Sequence, residues 1–256
     1  MKKVVTNLPE ITTREEWLEA RRKLLKREKE LTRARDALNA ERRKLPMVKI
    51  EKEYTFGGPE GKLSLQDLFK GRHQLMIYHF MFDPSWDRGC PSCSNWADQV
   101  SKGHLNHLHA SDTTLCLVSR APFPKLEAFK KRMGWNIPWY SSYGSDFNYD
   151  YHATTDEKVA PVFYNYRDQA TLEHLGQHYH VKGEQPGLSC FLRHGNSVFH
   201  TYSTYGRGLE QVGSSYYFLD LTPLGRQEEW EEPEGRANAF KAQAGSDDVL
   251  YPDEYE

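Results

Sequence analysis

The sequence predicts an α/β fold in which a mixed central sheet is flanked by helices, with a long N-terminal helix and an inserted loop region added to it. Two almost continuous apolar runs, 74–82 and 113–118, are typical of parallel strands that are covered on both faces. A helical segment separates these runs and another follows, which is the order of a parallel βαβ unit. The later apolar segments 188–192 and 198–202 flank a short turn and predict an antiparallel hairpin.

The other elements follow from local patterns. Residues 48–56 alternate apolar and polar side chains, which predicts a strand. Pro122 and Gly134 bracket a helix, because proline suits a first helical turn and glycine suits the position after the last one. A parallel half joined to an antiparallel half around one sheet is the thioredoxin architecture. The remaining predicted elements are a turn at 57–61, a short helix at 63–69, a cysteine helix at 93–107, an extended segment at 135–142 and a final helix at 209–221.

The first helix is predicted over residues 13–45. Thr13 and Glu16 form a capping box, and Pro46 ends the helix. An apolar residue recurs every seven positions, but Arg27 and Glu41 break the second row that a stable coiled coil needs. We therefore expect this helix to pack along the domain or against a second subunit, as in a homodimer. The recurring residues are Trp17, Leu24, Leu31, Leu38 and Leu45.

Length and charge define the expected organisation. The 256 residues carry a net charge of −2, and we expect one core domain at 47–226, with its insert at about 154–187. The helix at 1–46 precedes this domain, and an acidic C-terminal tail at 227–256, expected to be mobile, follows it. Basic and acidic residues interleave in the helix, which indicates a solvated face and not a nucleic-acid site. No signal-peptide pattern and no run of about 18–20 apolar residues is present, so we expect a cytoplasmic protein with no membrane partner.

Cys90-Pro91-Ser92-Cys93 is the motif that carries chemistry. It follows the buried run 74–82 and opens a predicted helix, where free N–H groups and the positive end of the helix dipole stabilise a thiolate. The spacing lets the second sulfur attack a mixed disulfide formed at the first. We expect Cys90 to be the attacking thiolate and Cys93 the buried resolving thiol, with no cofactor required. Cys116 and Cys190 stand alone in apolar runs.

Four residues near the motif are candidates for tuning the thiols or contacting substrate. Arg88 adds positive potential two residues upstream of Cys90, and Trp86 shapes the rim. Arg120 follows the second buried run, so it lies beside the thiols if the two strands are neighbours. His79 lies in the first buried run and is interpreted either as a core histidine with satisfied hydrogen bonds or as a group that tunes the thiols or binds metal.

A metal site is the main alternative to redox chemistry. Copper or zinc would be held by Cys90, Cys93 and a histidine such as His79. A structural zinc site usually needs four ligands, and the sequence contains no second C-x-x-C pair. If the cysteine helix is unbroken, His107 lies on the order of 21 Å from Cys93, at 1.5 Å per residue, which is too far to share one ion.

Several blocks of sequence resemble one family. Tyr78-His79-Phe80-Met81-Phe82, Gly89-Cys90-Pro91-Ser92-Cys93, Arg132-Met133-Gly134-Trp135 and Phe199-His200-Thr201-Tyr202-Ser203 are among them. The chain resembles, from about residue 12 to 228, the thioredoxin-like domain of unknown function 899, whose members are often labelled predicted dithiol–disulfide oxidoreductases. The resemblance implies the thioredoxin fold, makes Cys90 and Cys93 the matching cysteines, and implies no particular substrate.

The resemblance leaves one point of difference and three candidate functions. Thioredoxins place a cis-proline just before the hairpin strand, whereas here Pro186 is followed by Gly187. The leading hypothesis is a thiol–disulfide oxidoreductase that acts on a protein or small-molecule thiol or disulfide. A peroxiredoxin-like peroxidase is an alternative, although Cys90 occupies the place of the expected threonine three residues before a reactive Cys93. The third candidate is the metal-binding protein.

Overall fold

The computed structural model describes residues 7–235 and 249–255. The chain divides into two compact units, one formed by 1–46 with 219–244 and the other by 47–218 with 245–256. The second unit begins at the predicted boundary. The predicted tail at 227–256 is split between the two units, and its residues 236–248 lie outside the described part.

In the first unit, helix α1 spans Arg14–Arg42, and the predicted capping box at its start is confirmed. The Thr13 hydroxyl accepts the Glu16 N–H at 3.2 Å, and the Glu16 carboxylate accepts the Thr13 N–H at 3.1 Å. None of the α1 residues is buried. Its heptad stripe therefore stays exposed within this chain, with Leu31 at 70 % exposure.

The second unit is built on one eight-stranded sheet. Its strands run in the order β1-β12-β11-β4-β5-β6-β2-β3. β4 and β5 are parallel, as are β5 and β6, while β11 pairs antiparallel with both β4 and β12. The strands are β1 (Val48–Lys49), β2 (Thr55–Gly58), β3 (Gly61–Ser64), β4 (Gln74–His79), β5 (Thr113–Ser119), β6 (Trp139–Ser141), β11 (Gly187–His194) and β12 (Ser197–Tyr205).

This pairing confirms the thioredoxin fold predicted from the sequence. A parallel β4–β5 pair, connected through helices, is joined by β11 to an antiparallel hairpin, and both buried runs lie at the centre of the sheet. The helices of this unit are α2 (Pro91–Asp98), α3 (Lys102–Ala110), α4 (Phe123–Met133), α5 (Phe147–Asp150), α6 (Gln169–His174) and α7 (Ser214–Leu219), which ends one residue beyond the unit. Within the described residues, no helix is both long and apolar enough to span a membrane.

The inserted region contains small strands of its own. Its strands are β7 (Thr154–Thr155), β8 (Phe163–Tyr164), β9 (Arg167–Asp168) and β10 (Gly183–Glu184). β7 pairs with β10 and β8 pairs with β9. Val162, Tyr164 and Leu172 pack with Tyr205 of β12 in a small separate core, so the insert is an ordered part of the unit and not an irregular loop.

Three predicted elements differ from the structure. The strand predicted at 48–56 is wrong, because β1 and β2 lie towards opposite edges of the sheet and the chain must cross between them. The short helix predicted at 63–69 is replaced by the end of strand β3, which reaches Ser64, and by a 3-10 turn at Asp67–Phe69. The final helix predicted at 209–221 is broken at Gly213, whose backbone is extended.

The predicted cysteine helix is also broken. α2 ends at Asp98, and α3 starts anew behind Ser101, whose hydroxyl accepts the His104 N–H at 3.1 Å. The sequence contained this signal, since serine is a favoured N-cap residue. The distance of about 21 Å between Cys93 and His107 assumed one unbroken helix, and this assumption is therefore wrong.

Candidate active site

Cys90 and Cys93 lie at the start of α2, directly beyond the carboxyl end of β4. Cys90 is the N-cap residue and Pro91 takes the first helical position. The Cys90 carbonyl accepts the Ser94 N–H at 3.0 Å and the Ser94 hydroxyl at 2.9 Å, and the Cys90 N–H donates to Met81 at 2.9 Å. Hydrogen bonds therefore fix the motif both to helix α2 and to Met81, in the segment that follows strand β4.

The two thiols differ in exposure and acidity. Cys90 is partly exposed and Cys93 is buried, and both are free thiols. The Cys93 thiol and the backbone N–H groups of Cys93 and Ser92 donate hydrogen bonds to Cys90, and these lower its pKa to about 7 against the opposing effect of burial. Burial, followed by the proximity of Cys90, raises the pKa of Cys93. This is the asymmetry that an attacking and a resolving cysteine require.

Tyr78 is a site residue that the sequence analysis did not identify. Its ring stacks on Trp96 of α2 with centroids 4.0 Å apart and planes 5° from parallel, and its hydroxyl is hydrogen-bonded to Cys93. The Trp96 indole in turn donates to the Val212 carbonyl at 3.1 Å. Strand alternation was the available signal, because Tyr78, two residues from Phe80 in the run 74–82, lies on the cysteine face.

A second unpredicted contributor is the segment 249–255, which we call the strap. Its Tyr251 is buried, and the Tyr251 hydroxyl donates to the carbonyl of Gly89, the residue before Cys90. Glu254 pairs with Arg88 at 2.7 Å. The expectation of a mobile tail is wrong for the strap, because an aromatic side chain and acidic groups anchor it beside the cysteines.

The predicted arginines both lie near the carboxyl ends of the central strands but are paired with carboxylates. Arg88 contacts Glu254, as described above. Arg120 lies 2.8 Å from the buried Glu184, 3.8 Å from Asp83 and 5.1 Å over the Tyr149 ring. Neither arginine is among the main causes of the lowered Cys90 pKa, which are hydrogen bonds. Their tuning role stays a prediction.

The buried partner of Arg120 is itself unusual. Burial raises the pKa of Glu184 to about 7, while Arg120 and the Thr154 hydroxyl, 3.1 Å away, oppose this rise. The Arg120–Glu184 ion pair joins the inserted region to the end of β5. Glu184 lies two residues before Pro186.

Trp86 occupies the loop that precedes the cysteines and is 36 % exposed, and its role at the rim stays a prediction. Lys125 of α4 holds this loop by donating to the carbonyls of Pro84 at 2.8 Å and Trp86 at 2.9 Å. The Asp83 carboxylate accepts the Ser85 N–H at 2.8 Å and adds a local turn.

His79 faces away from the cysteines. Its ring lies near Phe147 and Tyr151, in the core on the opposite face of the sheet from Cys93. Its Nε2 is 2.9 Å from the Ser189 hydroxyl, and burial lowers its pKa to about 3. The interpretation as a core histidine fits this position, although its Nδ1 has no hydrogen-bond partner among the described residues.

His79 is therefore not placed to complete a metal site with Cys90 and Cys93, and the ligand set proposed for copper or zinc is wrong in this respect. Within 7–235 and 249–255, no three His, Cys, Asp or Glu side chains are grouped to hold a metal ion.

At the proline position, the Gln185–Pro186 bond is trans, since the one cis bond of the described chain precedes Pro233. Gly187 opens β11 opposite both His79 and Tyr205. A Cβ at Gly187 would lie 2.9 Å from the Tyr205 ring, so glycine is required by close packing at this point. The Pro186 carbonyl accepts the Tyr164 hydroxyl of the insert at 2.9 Å.

Fold and motif together define a protein of the thioredoxin class with a C-x-x-C pair at the start of its first core helix. The chain belongs to the family described as "Bacterial protein of unknown function (DUF899)", which it matches over residues 6–251. No curated protein matches it.

Solved structures show weaker similarity. A mutant of peroxiredoxin Q from Xanthomonas campestris is 13 % identical, with 63 % of this chain and 85 % of that chain covered and a TM-score of 0.38. A putative thiol:disulfide interchange protein DsbE from Chlorobium tepidum is 15 % identical, with 66 % and 95 % covered and a TM-score of 0.33.

Proposed function

We propose that the chain is a thiol–disulfide oxidoreductase that uses Cys90 and Cys93. The observation that supports this most directly is the difference between the two thiols at one helix start. Cys90 is partly exposed and has a pKa of about 7, so a substantial fraction is thiolate near neutral pH. Cys93 is buried and stays protonated until it is needed.

The reaction would proceed in two exchanges. The Cys90 thiolate attacks one sulfur of a substrate disulfide, forms a mixed disulfide and releases the other substrate sulfur as a thiolate, which takes up a proton. Cys93 then loses its proton and attacks the Cys90 sulfur. This closes the Cys90–Cys93 disulfide and releases the second substrate thiol, so two electrons have passed to the substrate. An external dithiol returns the pair to its reduced form.

The direct test is to trap the intermediate. Cys93→Ser should accumulate a mixed disulfide at Cys90 with a small disulfide such as oxidised glutathione, seen as a mass increase of the intact protein. Cys90→Ser should form none, and Cys116→Ser serves as the matched control because Cys116 is buried elsewhere in the core. Turnover of a disulfide that survives Cys90→Ser would disprove the proposal.

Two other results would favour the alternative functions, the peroxidase and the metal-binding protein. Consumption of hydrogen peroxide that depends on one cysteine would favour the peroxidase. Copper or zinc that copurifies in a one-to-one ratio and is lost in the double cysteine variant would favour a metal-binding protein.

A further inference from the structure

Next to Cys90 lies a slot for an aromatic side chain, and Tyr251 of the strap occupies it. Tyr251 of the strap is 3 % exposed, and its ring meets Phe129 of α4 edge-on at 5.6 Å. The guanidinium carbons of Arg88 and Arg132 each lie 5.0 Å from the same ring centroid. The hydroxyl closes the contact by donating to the Gly89 carbonyl.

The two carboxylates that follow Tyr251 in the strap, Asp253 and Glu254, pair with Arg132 and Arg88. Asp253 makes a two-point contact with Arg132 at 2.8 and 2.9 Å, and Glu254 reaches Arg132 at 3.1 Å and Arg88 at 2.7 Å. These side chains are about a third to a half exposed. Ion pairs exposed to this degree are individually weak and exchange with other anions.

We propose that Arg88, Arg132, Phe129 and the Gly89 carbonyl form a substrate subsite for an acidic peptide in which carboxylates follow an aromatic residue, and that the strap occupies this subsite as an internal competitor. The inference deepens the proposed function and rests on it, since it assigns the protein substrate of the same cysteine pair. Gly89 directly precedes Cys90, so a peptide held here lies next to the attacking sulfur.

Two features support recognition over simple packing. An aromatic ring with two guanidinium groups and a carbonyl acceptor distinguishes an acidic aromatic segment from a merely apolar one. The subsite also adjoins the reactive sulfur, because the Tyr251 hydroxyl donates to Gly89, the residue before Cys90, and Tyr251 and Cys90 belong to the same packed cluster. A tethered ligand acts at a high effective concentration, so the strap suppresses binding of a free segment until a better ligand displaces it.

The first experiment changes only charge in the full chain. Asp253→Asn/Glu254→Gln frees both arginines while keeping Tyr251 in its slot. We expect the ratio of Cys90 alkylation rates by iodoacetate and iodoacetamide to rise about fivefold at low salt, and to fall back at high salt. Glu157→Gln/Glu173→Gln removes the same charge from exposed positions of the insert and should leave the ratio unchanged. An unchanged ratio in the strap variant would overturn the proposal.

The second experiment supplies the ligand in trans. A fluorescent peptide with the sequence Val-Leu-Tyr-Pro-Asp-Glu-Tyr should bind the full chain carrying Tyr251→Ala/Asp253→Asn/Glu254→Gln at least about tenfold more tightly than wild type. Adding Arg132→Gln, or replacing the first tyrosine of the peptide by alanine, should weaken binding severalfold. The proposal would be overturned if neither Arg132→Gln nor the altered peptide weakened binding. It would also be overturned if the triple variant folded but did not bind the peptide.

If the triple variant does not fold, the alkylation ratio of the charge variant decides alone. Neither readout needs turnover, so a failure of the oxidoreductase assay remains distinguishable from a failure of this subsite.

Discussion

At the scale of single residues, the site depends on two identical side chains with different environments. Cys90 sits at a helix start with hydrogen-bond donors aimed at it, whereas Cys93, one turn later, points into the core. The motif and its helix position predicted this division of roles. Tyr78 could have been placed on the cysteine face from strand alternation, but its contact with Cys93 depends on the Trp96 stack, which only the packed structure shows.

The hydrogen bond from Cys93 is the largest cause of the low Cys90 pKa. Cys93→Ala removes this donor, so we expect the Cys90 pKa to rise from about 7 toward its ordinary value, with less thiolate and slower alkylation at pH 7. The check is the rate of alkylation by iodoacetamide as a function of pH. Cys93→Ser keeps a donor and should shift the profile less; equal profiles for Cys93→Ala and wild type would contradict this assignment.

Tyr78→Phe removes the side-chain hydroxyl that is hydrogen-bonded to Cys93. We expect resolution of a mixed disulfide at Cys90 to slow roughly tenfold and its pH profile to move to higher pH, because a lost hydrogen bond to a charged group costs about 1.5 kcal/mol. Stopped-flow measurement of the second exchange provides the check. The first exchange should be unaffected. Tyr140→Phe, buried on the opposite face, is the control, and an equal effect there would indicate a general loss of stability.

At the scale of elements, the loop before the cysteines is shaped by contacts from distant parts of the chain. Lys125 of α4 holds its carbonyls, and Tyr251 holds Gly89 from 162 positions away. Local sequence patterns predicted the strand before this loop and the helix after it. The strap escaped prediction because its acidic composition resembles a solvated tail, and its anchoring depends on partners that lie near one another only after folding.

Gly89 has no room for a side chain. A Cβ there would lie 2.6 Å from a ring carbon of Phe80, so Gly89→Ala should lower the free energy of unfolding by about 1–3 kcal/mol and displace the loop that presents Cys90. Chemical denaturation measures this change. Gly103→Ala in α3 is the matched control, because the nearest atom is 3.7 Å away and alanine favours a helix, so it should stabilise by about 0.5–1 kcal/mol. Equal effects would contradict the packing argument.

At the scale of the whole molecule, the central sheet was predictable and its edges were not. The buried runs of β4 and β5 and the hairpin of β11 and β12 carry strong local patterns. β1 and β2 were predicted as one strand because the alternation of their residues says nothing about which edge of the sheet each one joins. The same limit applies to α1, whose heptad stripe identifies an apolar surface without identifying its partner.

That stripe leads to the homodimer prediction. Leu24 and Leu31 are 50 % and 70 % exposed in the single chain, and burying a leucine side chain contributes about 1.5–3 kcal/mol. If α1 pairs with a second copy, wild type should sediment as a dimer at micromolar concentration. Leu24→Lys/Leu31→Lys should then sediment as a monomer.

The control for this prediction is Lys29→Ala, because Lys29 is exposed and lies on the side of the helix opposite the leucine row. It should leave the sedimentation coefficient unchanged, because only the leucine row would meet the partner. A wild-type chain that stays monomeric up to about 100 µM, where a Kd in the micromolar range would already produce dimer, would contradict the homodimer. The leucine row would then have to pack along its own chain, contrary to the exposure of Leu24, Leu31 and Leu38.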